Sequence, residues 1–150
     1  MIAQLVYPAS VPDQALRDPL TAETGELVQQ LVRNACVYDG TEMSGGETRN
    51  ADVLRSIVEA PGVELERWEP VPGRASFVAR LRGRDREAAS LCLMGHTDVV
   101  PVDPSGWDHD PFGGELVESS DGVTEVWGRG AVDMLNLTAR CRGRPPPSTR

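Results

Sequence analysis

The chain has 150 residues, 39% apolar and 25% charged, a balance that excludes a disordered or fibrous polypeptide and suits one domain with a real core. No stretch approaches the ~20 apolar residues of a membrane span, and the start, MIAQLVYPASVPDQ, lacks the basic residues and long apolar run of a secretory signal. The net charge of −8 argues against nucleic acid as a partner, yet it is unevenly spread: residues 1–139 hold 11 Arg and 23 acids (−12), and residues 140–150 hold 4 Arg and no acid (+4).

Residues 1–20, with three prolines and no sustained period, read as an extended lead-in. From Thr21, the apolar positions Leu27, Val28, Leu31, Val32, Ala35 and Cys36 recur at helical spacing. Tyr38–Met43 reads as a loop. Ser44-Gly45-Gly46-Glu47 has the capping-box pattern, and Val53, Leu54, Ile57 and Val58 form one face of a second helix that Pro61-Gly62 ends. Val63–Trp68 and Ala75–Leu81 read as strands joined through Pro70–Gly73, the second with Ala75, Phe77, Ala79 and Leu81 on one face. After a charged turn at Gly83–Ala89, Leu91-Cys92-Leu93-Met94 is a short continuous apolar run that suits a strand buried on both faces. Gly114–Ser119 and Val123–Trp127 flank Asp121-Gly122, a hairpin signal. A third helix opens after Asp133 and is stopped by Gly143 and Pro145-Pro146-Pro147, so residues 140–150 form an Arg/Pro-rich tail that reads as disordered. There is no internal repeat, and the element order predicts an α/β fold.

The chemistry concentrates in two stretches. Gly95-His96-Thr97-Asp98-Val99-Val100-Pro101 follows the apolar run directly, where open α/β sheets place their sites. Extended backbone turns His96 and Asp98 to the same side, a spacing that suits a metal-ligating imidazole with a carboxylate on its other nitrogen. A His–Asp pair in a strand-end turn remains the structural alternative. In Gly128-Arg129-Gly130-Ala131-Val132-Asp133, a carboxylate stands where a dinucleotide fingerprint needs Gly or Ala, and it would repel a pyrophosphate. The glycines instead allow a tight path that presents Asp133, either as a metal ligand or as a helix N-cap. His109 reads as a solvated loop histidine, and Cys36 and Cys92 as small core residues. Three cysteines, an odd and sparse set, suit reduced thiols in a cytoplasmic protein. No nucleophile elbow, Cys-x-x-Cys pair or Walker loop is present.

Together, GHTDVVP and GRGAVDM resemble the co-catalytic zinc metallopeptidase and amidohydrolase family that includes acetylornithine deacetylase, succinyl-diaminopimelate desuccinylase, aminoacylase-1, glutamate carboxypeptidase and carnosinase-type dipeptidases. SGGETRNADVLRSIVEA resembles that family's second helix, PGRASFVARLRG its first strand pair, and WDHDPFGGEL the segment between its metal motifs. The resemblance runs from about Thr21 to Thr138. It implies the N-terminal part of a zinc-exopeptidase-like catalytic domain, a mixed sheet flanked by helices, over residues 21–139. It also implies His96 as a zinc ligand, Asp98 as the carboxylate that orients His96, and Asp133 as the carboxylate bridging two zinc ions, with cobalt or manganese as alternative metals. The implied reaction is hydrolysis of a peptide or N-acyl amino acid bond, in which a water activated by the metal and a glutamate base attacks the amide carbonyl.

Two departures stand out. Leu135-Asn136 replaces the Lys-Gly that often follows Asp-Met in the family. The family's glutamate pair, later acidic ligand, C-terminal histidine and dimerisation domain all lie beyond the second motif. His96 and Asp133 supply two direct ligands where a catalytic zinc generally takes about three. The expectation is therefore a truncated, inactive portion that holds zinc weakly and has neither nucleic acid nor membrane as a partner. The alternatives are a non-catalytic interaction module that keeps the α/β scaffold, or a half-site completed by a separate chain.

Overall fold

The computed structural model describes residues 19–120 and 122–141. Helix α1, Pro19–Arg33, starts two residues before Thr21, with proline in the first turn, where its missing N–H costs nothing. The lead-in expected over residues 1–20 is thus helical at its last two positions, and the remainder lies outside the described residues. Leu27, Val28, Leu31 and Val32 form one stripe, each no more than 5% exposed. The other members of the core are Leu54, Val99, Ala131, Leu135 and Ala139, so α1 is its central element. Ala35 turns left-handed (φ 46°) just past the helix, which ends the helical period before Cys36 while leaving Cys36 buried.

Helix α2, Thr48–Val58, does not use the expected capping box. Gly45 and Gly46 take positive φ (97° and 74°), so the chain enters the helix at Glu47 and Ser44 lies too far ahead to cap it. Ser44 instead closes the preceding loop, accepting from the Asp39 N–H at 3.1 Å and donating to the Thr41 carbonyl at 2.9 Å. The Glu47 carboxylate turns to Arg74 at 2.9 Å, and Arg74 stacks 4.0 Å over the Tyr38 ring.

Strands β1 (Val63–Val71) and β2 (Arg74–Leu81) form an antiparallel pair running from Val63↔Leu81 to Val71↔Arg74. Helix α2 packs along this hairpin, with Asp52 meeting Arg67 of β1 at 2.9 Å. Ala75 is buried and Phe77 reaches the core, but the expected inward positions Ala79 and Leu81 are exposed. A second antiparallel pair, β3 (Glu115–Glu118) and β4 (Thr124–Trp127), matches the expected hairpin. It is fastened to α1 by Gln29, which donates to the Gly114 carbonyl at 2.7 Å, and by Arg33, which donates to the Gly113 carbonyl at 2.9 Å. The short helix α3 covers Asn136–Arg140.

The apolar run departs from expectation. Leu91–Met94 is not a strand, and Leu91, Leu93 and Met94 are 84%, 61% and 79% exposed. A doubly buried strand needs neighbours on both edges and a layer on each face. Among the described residues neither is present beside this segment, so Cys92 too is exposed rather than in the core. Among the described residues the architecture is a small mixed α/β arrangement of helices and two short antiparallel sheets, compatible with part of a larger α/β domain. Among the described residues, parallel pairing is limited to an isolated bridge, Val37↔Val99. Among the described residues no helix is long and apolar enough to cross a membrane.

Candidate functional site

His96 lies in the loop between the exposed run and the Val99 bridge. Its Nδ1 is 3.0 Å from the Asp98 carbonyl and 3.3 Å from Asp98 Oδ1, so the two side chains meet as their spacing suggests. With two acceptors facing it, Nδ1 carries the proton in the neutral ring, and the lone pair falls on Nε2. Nε2 points to Asp133 Oδ1 at 3.5 Å. The two residues are 37 positions apart in the chain, and the fold brings them together.

Asp133 stands in an irregular turn, Ala131–Leu135, in extended backbone (φ −125°, ψ 96°), and the Asp133–Met134 peptide bond is cis. The N-cap position of α3 is Leu135, so the N-cap alternative for Asp133 does not hold. Gly130 makes the turn possible. Its φ is +84°, and a Cβ there would sit 2.4 Å from Val99 Cγ1. The turn can therefore lie against the residue that ends the His96 loop. The Asp133 side chain is 90% exposed, and its contact with His96 is its one polar contact among the described residues.

A neutral imidazole with its proton on Nδ1 would turn a lone pair to the Asp133 carboxylate, a pair of acceptors that a cation can bridge. Zinc bonds of ~2.0–2.2 Å at a tetrahedral angle separate two N/O ligands by roughly 3.4 Å. The observed 3.5 Å is close to that edge, so these residues fit as two of a zinc ion's donors. Among the described residues no group of three or more His, Cys, Asp or Glu is arranged to hold a metal.

His109 is engaged rather than left in solvent. Its Nδ1 is 2.9 Å from Glu115 Oε2, and its ring stands edge-on to Trp127 at 4.9 Å between centroids. It fastens the 107–110 loop to the hairpin. The Cys36 thiol is pushed up by burial and donates to the Gly46 carbonyl at 3.3 Å, as befits a core cysteine. Two residues that contact the His96 loop carry no motif: Asn50, which donates to the Thr97 carbonyl, and Thr138, which donates to the His96 carbonyl. Their signal was a polar residue on an apolar helical stripe, Asn50 ahead of Leu54 and Thr138 beside Leu135 and Ala139.

No protein-family model matches the chain. Among curated proteins, it is 35% identical over 123 residues to succinyl-diaminopimelate desuccinylase of Caulobacter sp. (strain K31), covering 81% of this chain and 28% of that one. It is 41% identical over 121 residues to the protein of the same name from Methylobacterium nodulans, covering 77% of this chain and 27% of that one. A shorter match, 41% over 73 residues, relates 49% of the chain to 17% of aminoacylase-1 from Sus scrofa. The chain thus spans between a sixth and three tenths of the length of these relatives. It belongs to the family that contains succinyl-diaminopimelate desuccinylase and aminoacylase-1.

Proposed function

We propose that residues 21–139 are part of the catalytic domain of a cytoplasmic, zinc-dependent amidohydrolase that cleaves N-acyl amino acid or peptide bonds, and that this chain alone does not turn over. One observation carries the reading: His96 turns Nδ1 to Asp98 and Nε2 to the Asp133 carboxylate, 3.5 Å away. The names of the relatives, a desuccinylase of an N-succinyl amino acid and an aminoacylase, support the substrate class.

In this reading His96 Nε2 and the Asp133 carboxylate would hold the metal. Asp98 fixes the imidazole tautomer and its orientation, as outer-shell carboxylates do. Bound zinc supplies a lowered water pKa and a polarised amide carbonyl. The exposure of Leu91, Leu93 and Met94 favours a part of a larger sheet over a finished interaction module, because an apolar edge of that kind invites association.

Zinc titration by calorimetry, with Asp133→Ala and His96→Ala as controls, tests the reading. The expected outcome is weak binding that both substitutions abolish, with no hydrolysis of N-succinyl or N-acyl amino acids. Two tightly held ions and turnover by the 150-residue chain would overturn the claim of inactivity. Binding unchanged in both variants would overturn the donor assignment.

A further inference from the structure

The loop that carries His96 has little regular structure of its own, and three successive carbonyls in it are taken up by side chains. The His96 carbonyl accepts from Thr138 Oγ1 at 2.8 Å, the Thr97 carbonyl from Asn50 Nδ2 at 3.2 Å, and the Asp98 carbonyl faces the His96 ring. Asn50 is 0% exposed and also donates to the Leu31 carbonyl at 3.3 Å, while its Oδ1 accepts from Asn34 at 2.8 Å. One residue further on, Val99 is fixed by backbone bonds of 2.9 Å to Cys36 and Tyr38. Asn50 and Val99 therefore hold the loop to α1, α2 and the segment between them, independently of Asp133.

Thr138 differs from both. It lies in α3, five residues past Asp133, so its hydroxyl ties the His96 backbone to the segment that presents the facing carboxylate. At 8% exposure the hydroxyl meets little competition from water. The approach also requires glycine at position 95, where a Cβ would lie 2.4 Å from Thr138 Oγ1. We infer that Thr138 is a positioning residue, whose bond to the His96 carbonyl sets the separation between His96 Nε2 and Asp133 Oδ1. The purpose of that separation rests on the metal-donor reading above; the tether itself is a property of the metal-free chain.

The test compares the 150-residue chain with Thr138→Val, which keeps the branched shape without the hydroxyl, and Thr138→Ser, which keeps the hydroxyl. Isotope-edited NMR of the metal-free proteins reads the nuclear Overhauser contact between the His96 ring protons and the Asp133 β protons. The contact is expected in the parent and in Thr138→Ser and absent in Thr138→Val, with melting midpoints within about 5 °C of one another. Zinc affinity should follow the same order, about tenfold weaker in Thr138→Val and restored in Thr138→Ser, at the lower end of the effect of removing an outer-shell partner. If Thr138→Val melts well below that range, Thr138→Ala is read in its place by the same criteria. A contact that persists without the hydroxyl, that is missing in the parent, or that serine fails to restore overturns the inference. The expected contact pattern with no zinc binding in any protein overturns the donor reading and leaves the tether standing.

Discussion

Leu91→Ser and Leu135→Ala separate two accounts of the apolar run that precedes the His96 loop. A fully buried leucine side chain contributes roughly 1.5–3 kcal/mol by transfer from water. Leu91 is 84% exposed, so only about a sixth of that, below ~0.5 kcal/mol, is at stake in the folded chain. Leu135 is 1% exposed and packs in the core beside α1, so truncation to alanine should cost about 2–5 kcal/mol. Urea unfolding followed by tryptophan fluorescence measures both against the parent. With a slope of about 1–3 kcal/mol per molar urea, Leu91→Ser should shift the midpoint by no more than a few tenths of a molar, and Leu135→Ala by about 1 M or more. Light scattering at high concentration should also fall in Leu91→Ser, since the change interrupts an exposed apolar edge. A Leu91→Ser loss as large as that of Leu135→Ala would refute the reasoning, because it would mean that Leu91 is buried on a strand after all.

Gly130→Ala should destabilise the chain by about 2–4 kcal/mol, since it combines a left-handed backbone with a Cβ 2.4 Å from Val99 Cγ1; a urea midpoint within error of the parent contradicts this. The Ser44 and Thr41 hydroxyls and the Thr41 N–H beside Asp39 hold its carboxyl down from the ordinary 3.8 to about 2. A depressed folded value means that ionised Asp39 favours the folded loop above pH ~4, and that this contribution is lost as pH falls from about 4 to about 2. A carbon-detected NMR titration should place the Asp39 midpoint near 2 and show Thr41→Val moving it upward; an ordinary midpoint in the parent would contradict the loop's hydrogen bonding.

Much of the fold was legible because it is local. The stripe Leu27, Val28, Leu31, Val32 has helical spacing and is buried, and the Asp-Gly turn signal lies between strands that pair. The failures are those of local patterns whose outcome depends on distant residues. Ser44-Gly-Gly-Glu47 has the spacing of a capping box, but the two glycines take positive φ and Arg74, 27 residues away, draws off the glutamate. Leu91–Met94 has the composition of a central strand, but strand pairing is a property of neighbours, and among the described residues it has none.

The candidate site shows why a misread strand did not displace the loop that follows it. His96, Asp98 and Asp133 were visible as motif residues, yet what brings them together is invisible locally: Thr138 acts across 42 residues and Asn50 across 47. These anchors come from helices, and the bridge at Val99 comes from the segment after α1. None of them requires Leu91–Met94 to be paired. The loop can therefore hold His96 toward Asp133 while the run before it stays exposed, so the two proposed donors can be pre-arranged without any pairing of that run. For the same reason, substitutions in Leu91–Met94 should leave the His96–Asp133 contact intact, whereas Gly95→Ala, which displaces Thr138 Oγ1, should abolish it in the same NMR measurement.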